Sequence, residues 1–264
     1  MSVFLTTAEE AARGAGKLIL AHLHDTHRVQ NKSAFDFVTE TDQLSEDFIR
    51  GYISERFPDH HFFCEEQVSA LDADESTLIE AFDGYTWVVD ALDGTTNYIR
   101  TIPQFAVSIG LAKDGEIIAG AIYDPMRDEL FSAEKGAGAF LNGKPMHVSK
   151  VAEPEKCILG IGFPAADMEK RAETMRRLQN CGMHLGSLRL YNCAALLLSY
   201  VACGRLDASF EQGIHLWDMA AGTLLIKEAG GTVKDIDCSP FRLTSTGYCA
   251  ANADLLKALE QYYN

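Results

Sequence analysis

Residues 105–125, FAVSIGLAKDGEIIAGAIYDP, constrain the fold more than any other stretch of the chain. Two apolar runs flank Lys113-Asp114-Gly115, and an Asp-Gly step between such runs marks a tight β-hairpin. Short strands continue through DELFSAEKGAGAFLNGKPMHVS, where Asn142-Gly143 marks a second tight turn. Ahead of this sheet the periodicity is helical. Residues 8–24 carry Ala8, Ala11, Ala12, Ala15, Leu18, Ile19 and Leu23 at helical spacing, with Thr6 and Glu9 as a capping box. A second helix, about residues 41–56, carries Leu44, Phe48, Ile49, Tyr52 and Ile53 on one face. The first half therefore reads as helices followed by an antiparallel sheet.

The second half alternates. CILGIGFP, HLGSLRL, LDASFE and GTVKDID read as strands. AADMEKRAETMRRLQNC, NCAALLLSYVACG and WDMAAGTLLIKEAGG read as helices, the last closed by Gly230-Gly231. Such alternation suggests α/β layers. A polar VSKVAEPE between Val148 and Glu155 sets the expected boundary, giving an α+β subdomain at 1–148 and an α/β subdomain at 149–264.

Charge and composition remove several classes of function. A formal net charge of -15 argues against a nucleic-acid or anionic-membrane partner, while suiting a site that gathers carboxylates around cations. No run of about 18 apolar residues suggests a spanning helix. The N-terminal stretch lacks a basic start and is interrupted by Glu9, Glu10, Arg13 and Lys17, so it reads as a helix rather than a signal peptide. Seven cysteines without CxxC spacing read as reduced thiols of a cytoplasmic protein.

Candidate chemistry begins at WVVDALDGTTNYI, residues 87–99. Trp87, Val88 and Val89 form a strand, Asp90 emerges at its end, and Asp93 lies a turn away. Gly94 allows a tight path, and Thr95 and Thr96 can open a helix whose N–H groups attract phosphate. Carboxylates there would repel phosphate unless divalent cations lie between. The structural alternative is that Asp93 caps a helix and Asp90 forms a buried ion pair. Two further acidic ends favour metal: Glu65 and Glu66 after an apolar run in FFCEEQ, and Asp218 at a helix start in HLWDMAAG. The histidines of HLHDTH and His60-His61 lack convincing zinc spacing, and the glycine-rich GAGAFLNG precedes a hairpin turn rather than a helix.

These motifs together resemble the inositol monophosphatase family. WVVDALDGTTN is similar to its DPxDGTxN signature, CEEQ to its GEE segment, LWDMAAG to WDxAAG, and KSAFDFVTETD (residues 32–42) to an upstream K…DxVTxTD segment. They occur in family order. The resemblance implies a layered αβαβα sandwich and a homodimeric, lithium-sensitive, Mg2+-dependent phosphomonoesterase using metal-activated water. It assigns Glu65, Asp90 and the carbonyl of Leu92 to one ion, and Asp90, Asp93 and Asp218 to a second. A third, weaker ion leans on Glu65. Thr95, backed by Asp42, would orient the water, and Asp42 also reads as a helix N-cap. Lys32 and Asp36 would belong to a loop that retains metal, with Glu66 as a supporting charge.

Substrate contacts implied are Asp93, Gly94, Thr95, Asn192, Cys193, Glu211 and Asp218. Glu211 stands where inositol phosphatases contact sugar hydroxyls, although it can also be read as a strand-end surface charge. The expected substrate is a small phosphorylated polyol, foremost myo-inositol 1-phosphate. Histidinol phosphate and fructose 1,6-bisphosphate are alternatives within the class, and a regulatory binding protein is the alternative outside it. Three positions depart from the pattern: Ala91 replaces the signature proline, and Asn192-Cys193 replace glycine and serine or threonine before AAL. Ala91 implies looser metal preorganisation, and Asn192-Cys193 a reshaped pocket.

Overall fold

Both two-residue turns form as their sequences require. In the computed structural model, Asp114 and Gly115 have φ of 50° and 77°, and Asn142 and Gly143 have 48° and 75°. Positive φ at both central residues is the geometry that matches strand twist. The structure describes all residues except 1, 26–29, 32–36, 70, 72–73, 165–166 and 264. Lys32 and Asp36 lie outside the described residues.

The chain begins with α1 (Val3–His22), a short pair β1 (Gln30–Asn31) and β2 (Phe37–Val38), and α2 (Glu40–Ser54). Next come β3 (His61–Cys64), α3 (Glu65–Ser69), α4 (Glu75–Glu80), β4 (Tyr85–Asp93) and α5 (Thr95–Ile99). The meander β5 (Ala106–Lys113), β6 (Glu116–Asp124), β7 (Glu129–Glu134), β8 (Gly138–Leu141) and β9 (Lys144–Pro145) follows. With β3 and β4 it makes a seven-stranded sheet in chain order, antiparallel except for the β3–β4 pair. The remainder supplies β10 (Ile158–Ile161), α6 (Met168–Gly182), β11 (Ser187–Leu190), α7 (Ala194–Ala202), β12 (Ala208–Gln212), α8 (Leu216–Glu228), β13 (Thr232–Lys234), β14 (Gly247–Ala251) and α9 (Ala253–Tyr263). Its mixed sheet has the order β11-β10-β12-β14-β13.

Five layers result. Helices α1 and α2 cover one face of the large sheet, α7 and α8 lie between the sheets, and α6 and α9 cover the outer face of the small one. Strand alternation fixes these faces. Trp87 and Val89 join Val107, Ile109 and Leu111 in the core under α1 and α2, whereas Val88 and Ala106 pack with residues of α7 and α8. That central core draws on both halves of the chain. Among the described residues no helix is long and apolar enough to cross a membrane.

Two sequence expectations shift. The first helix starts at Val3, because Ser2 supplies the cap through Leu5 N to Ser2 Oγ (3.2 Å). Thr6 then lies inside the first turn, its hydroxyl donating to Ser2 O. On α2, Leu44 and Phe48 stay partly exposed, and the buried face is Thr41, Asp42, Ser45, Glu46, Ile49 and Ile53. That face is polar because it supports the carboxylates described next.

Candidate active site

Two carboxylates come from β4. In an unbroken strand, residues three apart point to opposite faces. Here Asp90 pairs with Ser108 and Asp93 with Ala106, so three steps on β4 match two on β5. The extra residue is a β-bulge, which re-aims Asp93 to the face that Asp90 shares with α7 and α8. Sequence reasoning ended this strand at Asp90; the strand instead continues through the bulge to Asp93. Leu92 N donates to Asp90 Oδ1 (2.9 Å), and Ser45 Oγ donates to the Ala91 carbonyl (2.9 Å). The residue at the proline position is thus tied down from α2.

Asp218 arrives on the first turn of α8. The small residues after it let this helix lie close against the sheet and against α7. A Cβ on Gly120 would stand 2.9 Å from Ala221 Cα, and one on Gly222 would stand 2.5 Å from Leu198 Cβ. Asp218 Oδ2 accepts from His215 N (2.7 Å), closing a capping box. Glu75 holds the same helix start, bonding His215 Nδ1 (2.6 Å) and Leu216 N (3.2 Å).

One ligand atom from each of Asp90, Asp93 and Asp218 lies within 4.8 Å of the others. Burial, then Glu65, Asp93 and Asp218, hold Asp90 well above the carboxylate range. Burial lifts Asp93 to about 6, and burial together with the Asp93 charge lifts Asp218 to about 8. Among the described residues no lysine or arginine forms a salt bridge with the three, and the positive charge that draws Asp218 back down is that of His215. The ion-pair alternative for Asp90 therefore fails. The capping alternative for Asp93 holds alongside its place in the cluster, but the helix is α7: Asp93 Oδ2 accepts from Ala195 N (2.6 Å). Three carboxylates converging without a paired lysine or arginine among the described residues fit a hard divalent ion. Glu65 lines the same cleft, and the backbone N of Glu66 donates to Glu46 Oε2 (3.0 Å).

Thr95 Oγ1 stands 2.9 Å from Asp42 Oδ1 and 3.0 Å from the Leu92 carbonyl. A hydroxyl has one proton to give, so Thr95 serves one acceptor at a time. Asp42 is not the N-cap of α2. Thr39 is, and Asp42 sits three residues in, its Oδ2 accepting from Thr39 N (2.8 Å) and Thr39 Oγ1 (2.6 Å). Burial raises Asp42 to about 6 against those bonds. Gly94 has φ of 89°, and a Cβ there would stand 2.7 Å from the Gln104 carbonyl.

The cleft holds about 320 Å3 and is also lined by Thr96, Phe163, Arg171, Asn192, Glu211, His215 and Trp217. Glu211 is 6% exposed rather than a surface charge. Burial, then Asp93 and Asp218, push it well above the carboxylate range, and its Oε2 has no hydrogen-bond partner among the described residues. Asn192 adopts φ of 50°, a conformation that asparagine tolerates better than most side chains in place of glycine. Cys193 does not line the cleft. It is buried with Sγ 3.2 Å from Asp93 Oδ2, because as the N-cap of α7 it packs behind that carboxylate. A larger hollow of about 660 Å3 beside Lys227 and Phe241 contains none of these carboxylates.

Several residues went unread in the sequence. Asn97 Nδ2 reaches the carbonyls of Tyr191 (2.7 Å), Gln104 (2.8 Å) and Asn192 (3.2 Å), tying the two halves together. Its place in DGTTN was the available signal. Arg171, with its guanidinium 4.7 Å from the Phe163 ring centroid, is the sole lysine or arginine among the described lining residues.

The model of the Inositol monophosphatase family matches residues 1–263. An inositol monophosphatase 3 of Solanum lycopersicum is 41% identical over 264 residues, covering 99% of this chain and 96% of that protein. A Nus factor SuhB of Pseudomonas aeruginosa is 38% identical over 266 residues, covering 98% and 95%. The crystal structure of the extragenic suppressor protein suhB of Bartonella henselae aligns at a TM-score of 0.90 with 33% identity, covering 100% of this chain and 99% of that one.

Proposed function

Because this chain belongs to the inositol monophosphatase family, whose members are phosphoric monoester hydrolases, we propose that it hydrolyses a small phosphorylated polyol, foremost myo-inositol 1-phosphate, with magnesium. The observation that carries this reading is the convergence of Asp90, Asp93 and Asp218 within 4.8 Å at the floor of a cleft that also contains Thr95 and Glu211. Those three carboxylates, Glu65 and the Leu92 carbonyl would hold two to three ions. Bound magnesium polarises phosphoryl oxygens and eases ionisation of water.

The chain's own groups do the rest. Thr95 Oγ1 donates a hydrogen bond to Asp42 and turns a lone pair to the attacking water. Asp42, near 6, is poised to take up a proton close to neutrality. Backbone N–H groups at Gly94 and Thr95 face phosphoryl oxygens. Glu211, on the lining of the cleft, offers its carboxylate to a leaving-group hydroxyl.

Two subdomains, 1–148 and 149–264, would meet at this cleft, and seven free thiols suit a cytoplasmic protein. A homodimer is supported by exposed Ile102, Met126 and Leu190 and by β11, an edge strand. A regulatory reading is favoured by the similarity to a Nus factor SuhB; the net charge of -15 then points to a protein contact rather than a nucleic acid.

Phosphate release decides. Chelator-stripped protein is given inositol 1-phosphate, histidinol phosphate, fructose 1,6-bisphosphate or 3′-phosphoadenosine 5′-phosphate, with and without Mg2+. Magnesium-dependent preference for the inositol ester is expected. Preference for another ester reassigns the pocket, and no release from any of them puts the regulatory reading first.

A further inference from the structure

The start of α8 is held from the other half of the chain. Asp218 reaches the floor of the cleft from the first turn of this helix, and its Oδ2 accepts from His215 N (2.7 Å). Where Asp218 points therefore depends on where His215 stands. His215 is held on two sides. Its ring stacks on Trp217, with centroids 4.5 Å apart and planes 13° from parallel, and Trp217 packs in turn on Phe63 of the central core (5.5 Å). Its Nδ1 bonds Glu75 Oε2 (2.6 Å).

The second oxygen of Glu75 is also engaged. Histidine is not among the residues that cap helices well, and α8 takes an acceptor from another helix: Leu216 N donates to Glu75 Oε1 (3.2 Å). Glu75 is the first residue of α4, whose own start is tied by Asp74 Oδ2 accepting from Thr77 N (3.1 Å). Further along α4, Ile79 is buried in the central core, with Leu78 and Phe82 packed against it. Glu75 is thus presented from an anchored turn. Asp93 and Asp218 meet on the floor, and their charges repel. Unbraced, the first turn of α8 would yield to that repulsion, and a cation would have to draw Asp218 back. A helix start fixed beforehand spares that rearrangement.

We propose that Glu75 is a positioning residue for the metal centre: by holding His215 and Leu216 it fixes Asp218 where a divalent cation meets it. This rests on the reading of Asp218 as a metal ligand. Glu75 does not line the cleft and acts only through α8.

The test measures Mg2+ binding by calorimetry on chelator-stripped wild type, Glu75→Ala, Glu75→Asp and Glu75→Gln, alongside phosphate release from the best ester of the panel at increasing Mg2+. In Glu75→Ala the Kd for Mg2+ should rise about tenfold or more, and the Mg2+ needed for half-maximal release should rise with it. The kcat at saturating Mg2+ should change far less. Aspartate keeps the charge but is one methylene too short to reach both partners, so Glu75→Asp should also bind weakly. Glutamine keeps the length, with an oxygen for Leu216 N and an amide that can meet neutral His215, so Glu75→Gln should bind better than Glu75→Asp. Wild-type-like binding in Glu75→Ala overturns the proposal. So does binding by Glu75→Asp equal to or better than that of Glu75→Gln, which would assign the effect to charge rather than position. The aspartate and glutamine variants carry the test alone if circular dichroism shows Glu75→Ala unfolded. A wild type that binds no Mg2+ defeats the metal reading itself, and this inference with it.

Discussion

On the floor of the cleft, the carboxylates are held one oxygen at a time by backbone N–H groups: Asp90 by Leu92, Asp93 by Ala195 and Asp218 by His215. On the wall, Glu211 of β12 keeps one oxygen, Oε2, without a hydrogen-bond partner among the described residues. The difference separates two tasks. Groups that hold metal and direct water must be in place before substrate arrives, and backbone bonds provide that. A group that selects a leaving group can stay less tightly tied, because a ligand with the right hydroxyls completes its hydrogen bonding and one without does not.

The largest effect should come from breaking the floor. Asp93→Asn is expected to lower kcat by roughly three orders of magnitude or more while the fold persists, as read by phosphate release and circular dichroism. Wild-type-like turnover would remove Asp93 from the metal assignment. Thr95→Val keeps the shape but removes the hydroxyl shared with Asp42 and Leu92. Its kcat should fall by about 10²-fold or more with little change in KM, and a loss confined to KM would contradict the water-orienting role.

Changes to the wall should act on binding. A Cβ on Gly162 would fall 1.7 Å from Glu211 Oε1. Gly162→Ala therefore forces the Glu211 carboxylate from its place, so KM for inositol 1-phosphate should rise about tenfold with a smaller change in kcat. Equal effects of Gly162→Ala and Thr95→Val on kcat would erase the distinction between floor and wall.

The smallest effect concerns the metal-free protein. Asp42 and Asp93 rise to about 6 and Asp218 to about 8 from an ordinary 3.8. The folded state thus binds more protons than the unfolded state between about pH 4 and 8. Stability from this source is full at low pH and is lost as pH rises through that window. Melting temperature without metal should fall from pH 5 to 8 relative to Asp93→Asn, and Mg2+ should recover several degrees at pH 8. A flat difference would mean that the floor is not strained by its own charge.

The sequence disclosed the floor better than the wall. Asp90, Asp93 and Asp218 stood in motifs whose spacing could be read, and the Asp114-Gly115 and Asn142-Gly143 turns announced their hairpins. The bulge between Asp90 and Asp93 was hidden because WVVDALD is buried throughout, so burial periodicity could not mark an inserted residue. On α2, the apolar Leu44 and Phe48 suggested a buried face, but the polar Asp42, Ser45 and Glu46 took it because the site needs them there. Glu211 could not be placed locally. Its burial depends on the pairing of two strands separated by α8 and β13. The same holds for Glu75 and His215, 140 positions apart.

Mg2+ binding measured by calorimetry on chelator-stripped wild type and Asp93→Asn at pH 7.5 tests the metal centre most directly. Saturable binding in the wild type that weakens at least about tenfold in the variant is the expected result. Equal binding by the two proteins, or none by the wild type, would contradict a centre built on Asp90, Asp93 and Asp218.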